Sequence, residues 1–250
     1  MEAAWIRKNY GDDLYLQCTY TCIRVLGRRL AHTRKKDNVR HHRPGDTRRR
    51  HPFNAVHDTG EELLLRTCDS KGISGVGVLV NTTLSMNTDS FEQVTTRMGR
   101  LGLKRCRSTP ALTIFVVNAP TSNYDEKEVE AFYMDLENFY REDHTFFKVI
   151  IGDFNAKIGP RRSSEERHIG THGLEWNEQG ERLSEFIMAT KTIHGNSQFQ
   201  KPHPQCWAWE FRNGEYYNEI DHIIVNRMRL TDVAVVSKFC KGSDHYHLRA

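Results

Sequence analysis

The chain has 250 residues, a formal net charge of +4 and 38% hydrophobic residues, enough for one domain with a sizeable core. No apolar run approaches the roughly 20 residues of a membrane-spanning helix. The polar start MEAAWIRKNYGDD lacks the apolar centre of a secretory signal, so an intracellular protein with no membrane partner is expected. Six cysteines (Cys18, Cys22, Cys68, Cys106, Cys206, Cys240) show no framework spacing, and the Cys18–Cys22 pair has no second pair behind it, which argues against disulfide-scaffold and zinc-finger classes.

Taken in chain order, the first feature is a charge run. Between Arg24 and Arg50, eleven Lys or Arg stand against two Asp, a local net of +9 that leaves −5 for the remainder. A phosphate-binding face is normally spread over a folded surface, whereas this excess sits in one polar tract. Its density predicts little regular structure for residues 1–45, with the folded domain running from 46 to 250.

From Thr67 onward the sequence alternates between strand and helix patterns. GVGVLVN (75–81) and ALTIFVVN (111–118) are apolar runs of strand length bounded by turn formers. In DEKEVEAFYMDLENFYRED, Val129, Phe132, Tyr133, Leu136, Phe139 and Tyr140 recur at helical spacing, and Asp125 with Glu128 has the form of a capping box. KVIIGDFNAKIG (148–159) reads as a buried strand, RRSSEER as an exposed loop, and NEQGERLSEFIMATKT as a second amphipathic helix through Leu183, Phe186 and Ile187. NEIDHIIVNRM and VAVVSKFC read as strands. Trp207 and Trp209 fall between a proline-containing loop and a strand, and Trp209 is a candidate substrate contact.

Polar residues stand at the ends of these elements. Residues i and i+2 of a strand share a face, so Asp153 and Asn155 point together if the extended geometry persists past Gly152. The turn reading stands beside it, since Gly, Asp and Asn are common turn residues. Asp221 heads the strand IDHIIV, Asp244 and His245 follow another strand, and Asp46 precedes the first recognisable element. A single acid at a strand end is usually a cap. Several together, with no Cys among them, suit Mg²⁺, and a His held by a separate Asp suits water activation or phosphate orientation.

GDFN, IDHI and SDH, in this order and spacing, resemble the endonuclease/exonuclease/phosphatase superfamily. RRRHPFNAVHDTGEELLLRTCDSKGISGVGVLVNT, APTSNYDEKEVEAFYMDLENFYRED and GTHGLEWNEQGERLSEFIMATKTIHGNSQFQ resemble a narrower group. That group is the endonuclease domain of RTE-type non-LTR retrotransposons and the craniofacial development protein 2-like proteins, and the likeness runs from about Asp46 to the end. It implies an α/β fold, a DNase I-like two-sheet α/β sandwich flanked by helices, with the active site where strand ends of both sheets meet. It also implies Mg²⁺-dependent nicking of DNA, with Mn²⁺ as a substitute ion, and a nuclear location. By the same resemblance Asp46 and Asp244 hold the metal, while Asp153 and Asn155 position the attacking water and the scissile phosphate. His245 contacts that phosphate or the water and is held by Asp221, and Asn118 lies where a substrate contact is expected.

The chain departs from that pattern in three places. Asn118 stands where the family has Tyr before Ala-Pro-Thr-Ser, and Asp46 is one methylene shorter than the family's Glu. CTYT (18–21) lacks the family's Asn and runs into the basic tract instead of a helix and an apolar strand. Under one permissible codon choice, VRHHRPG (39–45) read one base later gives Tyr-Asp-Ile-Ile-Gly-Leu, so the tract is expected to be a shifted reading frame and not a DNA-binding arm. The sequence ends at Ala250, before a further family strand, and holds no reverse transcriptase domain. The expectation is a degenerate nuclease, feeble or inactive, with a pseudo-nuclease fragment and a phosphoinositide or lipid phosphatase as alternatives.

Overall fold

The computed structural model describes residues 5–9, 13–17, 23–25, 53–56, 62–65, 76–80, 86–105, 110–202, 206, 209–210, 217–227, 230–236 and 247–249. Strands β1 (Trp5–Asn9) and β2 (Asp13–Gln17) pair with each other antiparallel. Strands β3 (Ile23–Val25), β4 (Phe53–Val56), β5 (Glu62–Leu65) and β6 (Gly77–Val80) form an antiparallel sheet in the order β3-β6-β5-β4. Three of these strands, β1, β2 and β3, lie within residues 1–45. Trp5, Ile6, Leu14, Leu16, Ile23 and Val25 are apolar, strand-forming residues, and most of the basic run follows them. Residues 26–52, including Asp46, lie outside the described residues.

The second sheet carries the described candidate site residues. Its strands are β7 (Thr88–Thr95), β8 (Met98–Leu103), β9 (Leu112–Asn118), β10 (Phe147–Asp153), β11 (Ile193–His194) and, after the short pair β12 (Trp209–Glu210) and β13 (Tyr217–Asn218), β14 (Asp221–Val225). Their order is β11-β14-β10-β9-β8-β7. Strands β9 and β10 run parallel, and the other pairings are antiparallel. The connection between β9 and β10 contains helix α1 (Glu126–Glu142), and helix α2 (Glu178–Thr190) follows β10. Strands β15 (Ala234–Val236) and β16 (His247–Arg249) form a last antiparallel pair.

Two cores result from the strand alternation. Leu112, Ile114 and Val116 of β9, Phe147 and Val149 of β10 and Ile223 and Val225 of β14 pack against Leu64, Val76, Val78 and Val80, which joins the two sheets. The opposite residues, Phe115, Val117, Ile150 and Ile224, pack against Phe132, Leu136 and Tyr140 of α1 and Leu183, Phe186 and Ile187 of α2. This is the expected α/β sandwich with helices on one outer face. A strand covered on both faces has no polar alternation to show, which is why β9 and β10 read as continuous apolar runs. The helices begin where the sequence places them: Asp125 accepts from the amide of Lys127 at 3.4 Å, and Asn177 accepts from that of Gly180 at 2.8 Å. Asp125 thus caps through the second helical amide and not the third, which a full capping box requires.

The close approach of β9 to β10 depends on one glycine. Gly152 has φ +146°, and a Cβ there would lie 2.0 Å from the carbonyl oxygen of Val117. That backbone conformation costs a side-chain-bearing residue about 1–3 kcal/mol before the clash is counted. Gly152→Ala is therefore expected to lower the melting temperature by about 5–10 °C. Thermal denaturation followed by circular dichroism checks this, and an unchanged transition would contradict the close approach.

Candidate active site

The ends of three adjacent strands meet in register. In the parallel pair, Asp153 of β10 lies opposite Asn118 of β9. In the antiparallel pair, the same Asp153 lies opposite Asp221 of β14. Asn118 continues the series Leu112, Ile114, Val116, Asp153 continues Phe147, Val149, Ile151, and Asp221 precedes Ile223 and Val225. All three therefore project to the face between the sheets. With strands about 4.8 Å apart, the row spans roughly 10 Å. Asp153 and Asp221 are half-buried and Asn118 is buried at 6% exposure, so the row sits at the boundary between core and solvent.

Asn155 joins this row by a different route from the one its spacing suggests. The strand ends at Asp153 and Asn155 adopts φ 50°, in the left-handed region, so the extended geometry does not reach Asn155. The Asn155 amide donates to Asp153 Oδ1 at 2.9 Å, closing an Asx turn, and Asn155 Nδ2 donates to the carbonyl of Ala119 at 3.0 Å. The turn reading of GDFN therefore holds, and the extended one does not. The turn brings the carboxamide beside the carboxylate, and the side chain ties the loop after β10 to the loop after β9.

Four further groups were not singled out from the sequence. Arg97 lies beyond Asn118 in the same direction across the sheet: the Asn118 amide donates to the Arg97 carbonyl at 3.0 Å, and the Arg97 guanidinium stacks over Tyr124 at 4.6 Å. It belongs to the tight hairpin between β7 and β8, whose half-exposed, polar pattern gave no strand signal. Asn196 acts as a substitute edge strand for β14, donating from Nδ2 to the Asp221 carbonyl at 3.0 Å and accepting from the Ile223 amide at 3.0 Å. The same Nδ2 donates to Glu219 Oε1 at 3.1 Å, and burial pushes that carboxyl up to about 7. The fourth is the buried pair His194 and His222, with His194 Nε2 to His222 Nδ1 at 2.9 Å. Burial holds both imidazoles below their ordinary value, and for His194 the neighbouring His222 adds to the effect. A histidine inside IDHIIV was the available signal, since the residues that follow it in the strand are all apolar.

Asp46, Asp244 and His245 lie outside the described residues, and Trp209 is placed only as a backbone partner of Asn218 in β12–β13. Among the described residues there is no cluster of three or more His, Cys, Asp or Glu able to hold a metal. What the described part contributes is a pair of carboxylates directly opposite each other, Asp153 and Asp221. Hard oxygen donors of this kind fit Mg²⁺ or Mn²⁺.

Glu219 and the histidines have opposite pH signatures. A histidine with a depressed pKa keeps the folded chain short of a proton that the unfolded chain binds. Its stability contribution is full above about pH 6.5 and falls at lower pH by about 1.4 kcal/mol per unit. Glu219 is raised, so the folded chain holds a proton that the unfolded chain releases above about pH 4.5. Its contribution is full below about pH 4.5 and is lost as pH rises towards 7. Glu219→Gln is expected to raise stability at pH 8 by on the order of 2 kcal/mol. That gain should shrink to near zero by pH 5, with the acid side of the stability profile steepened. Urea denaturation of both proteins at pH 5 and pH 8 measures the difference, and an equal effect at both pH values would contradict the buried carboxyl.

The profile of the Endonuclease/Exonuclease/phosphatase family matches residues 14–245. Craniofacial development protein 2 of Bos taurus is 37% identical over 139 residues, 53% of this chain and 22% of that protein. The Tragulus javanicus protein is 36% identical over 139 residues, 53% and 23% respectively. The match therefore spans less than a quarter of the length of these curated relatives. Among solved structures, the AP endonuclease LMAP from Leishmania major superposes with TM-score 0.54 at 14% identity, covering 77% of this chain and 70% of that one. The endonuclease domain of TRAS1, a telomere-specific non-LTR retrotransposon, superposes with TM-score 0.51 at 13% identity, covering 74% and 75%. At such identities the likeness is one of fold. The profile match across most of the chain, on a sandwich whose polar strand ends converge at one point, means that the chain belongs to the Endonuclease/Exonuclease/phosphatase family.

Proposed function

We propose that this chain is a metal-dependent nuclease that nicks DNA, with low activity as it stands. The observation that carries the reading is the row Asn118, Asp153, Asp221, with two carboxylates opposite each other at the end of a mixed sheet. The names of the structural neighbours, an AP endonuclease and a retrotransposon endonuclease domain, support DNA as the substrate and with it a nuclear setting.

In this reading Asp46 and Asp244 hold Mg²⁺ or Mn²⁺. Bound there, such an ion would supply charge neutralisation to the phosphoryl oxygens and activation of a water. Asp153 orients the attacking water, since its position is fixed by the strand register and by the Asx turn. Asn155 uses one amide hydrogen on Ala119, and its second serves the phosphate. Asp221 sets the tautomer of His245, which contacts the phosphate or the water. Arg97, held by stacking on Tyr124, offers a fixed guanidinium to a backbone phosphate.

Two features support low activity. The short amide of Asn118 is buried where the related endonucleases carry a phenol, and loss of one comparable oriented donor costs roughly 10²–10³-fold. Asp46 sets its carboxylate back by one methylene, and a displacement of about 1 Å costs on the order of a hundredfold. The basic tract up to Gly45 is read as a shifted frame, so its charge is not credited to DNA binding. The genomic sequence upstream of Asp46 tests that part directly.

The test is nicking of supercoiled DNA with Mg²⁺ or with excess chelator. The unaltered chain is expected to nick feebly with Mg²⁺ and not at all with chelator, and Asp153→Ala to abolish the residue. Asn118→Tyr, Asp46→Glu and a rebuilt family-like first segment should each recover little alone and appreciable nicking together, because they act on one catalytic unit. Robust cleavage in chelator, or faster release of phosphate from a phosphoinositide than cleavage of DNA, would overturn the proposal. No nicking by the combined variant would leave the pseudo-nuclease reading standing.

A further inference from the structure

Asp221 and His222 are consecutive in β14 and so face opposite sides of the sheet. Asp221 faces the row of polar strand ends. His222 faces the helix layer, fully buried, with Nε2 2.8 Å from the carbonyl oxygen of Ala156, the residue after Asn155. Its ring also lies 6.0 Å from that of Phe154. One strand thus supplies a site residue and, at the next position, a group that holds the loop carrying another site residue.

The proton positions in this chain of bonds follow from the acceptors. A carbonyl only accepts, so His222 carries its proton on Nε2. In a neutral ring Nδ1 is then an acceptor, and it takes the proton from His194 Nε2 at 2.9 Å. His194 Nδ1 in turn accepts from Ser197 Oγ at 2.8 Å, and Ser197 Oγ accepts from the amide of Gly170 at 2.8 Å. Every bond points the same way, from Gly170 through Ser197, His194 and His222 to Ala156. A second proton on His222 would need His194 to change tautomer and Ser197 Oγ to turn to the His194 carbonyl at 3.3 Å, and full burial of both rings favours the neutral arrangement instead.

Asn155 needs such support. A residue other than glycine at φ 50° is in a minor conformation that persists only where the surroundings over-determine it. Three bonds do so here: Asn155 to Asp153, Asn155 to Ala119, and His222 to Ala156. The first two are made by the site itself and lie at its half-exposed edge. The third comes from the core.

We infer that His222, with His194 fixing its tautomer, is a positioning residue for Asn155, holding the Asn155–Ala156 peptide so that the carboxamide stays beside Asp153. The inference rests on the proposed nuclease reading for its catalytic consequence and on hydrogen bonding alone for its structural one. Neither histidine touches substrate, and both act through the loop.

The experiment has two arms on the full chain. In the first, long-range ¹H–¹⁵N spectra at pH 7 are expected to show both rings protonated on Nε2 and bare on Nδ1. In His222→Phe, which removes the donor, amide exchange at Asn155 and Ala156 should rise at least about tenfold relative to Val116 and Ile150. In the second arm, His222→Phe should lower the nicking rate on the order of a hundredfold, while the Kd for a duplex in chelator stays within about twofold. His222→Gln keeps an N–H for the Ala156 carbonyl and should recover at least about tenfold of that loss, even where its melting temperature is no higher than that of the Phe variant. A proton on His222 Nδ1 in the parent, unchanged exchange at Asn155 and Ala156, or equal losses in the Phe and Gln variants would overturn the inference. If the parent itself shows no nicking, the nuclease reading fails by that result, and the tautomer and exchange measurements still decide the positioning role.

Discussion

The site depends on a register between strands of two polarities. Strands β9 and β10 run the same way and end at the same level, with Asn118 opposite Asp153, while β14 runs the other way and begins there with Asp221. A slip of one residue in either pairing would turn a polar end residue to the helix side and expose apolar residues in exchange. The cores on both faces of the sheet oppose any such slip, because Val116, Val117, Ile150, Ile223 and Ile224 are all buried. The energy that fixes the chemistry is therefore hydrophobic and lies in the strand interiors, while the polar groups only occupy the ends.

Backbone pairing extends one step past the strands and stiffens the loops that follow. The Ala119 amide donates to the Asp153 carbonyl at 2.7 Å, and the Phe154 amide donates to the Ile220 carbonyl at 2.9 Å. On the far side of β14, β11 pairs with only two residues before the chain turns. There the Asn196 side chain takes over, supplying an acceptor and a donor where a strand would have placed a carbonyl and an amide. One carboxamide thus completes the edge beside Asp221, as the Asn155 carboxamide does between the loops after β9 and β10. Amides suit this work because they carry a donor and an acceptor and no charge to desolvate.

Much of this was legible in the sequence, and the reasons for the rest are physical. The buried strands β6, β9, β10 and β14 and both helices were readable because burial leaves continuous apolar runs or a helical period. The placement of Asp153 and Asp221 at strand ends followed from the same runs. Their mutual register did not, since a pairing across about 70 residues leaves no local mark. The proximity of Asn155 to Asp153 was readable, but its cause was not: spacing suggested a shared strand face, and the chain uses a left-handed turn. The hairpin β7–β8 went unread because its outer strand is largely exposed and polar. Arg97 was missed with it. The strands β1 to β3 fall in a region whose charge predicts disorder, and there a few strand-forming residues outweigh the average composition.

The position of Asn118 ties the fold to the question of activity. It lies in the row between Arg97 and Asp153, buried, and its backbone amide is already committed to the Arg97 carbonyl. The resemblance implies a phenol at this point, and a phenol extends farther from the strand than a carboxamide. Asn at this position keeps the strand end, the register and the polar character with a shorter side chain than a phenol. The strand pairing with Asp153 is made by the backbone, so it holds with either side chain. Selection for the fold and selection for the reaction separate at this residue. The sandwich and the opposition of Asp153 and Asp221 are thus independent of the side chain that residue 118 carries.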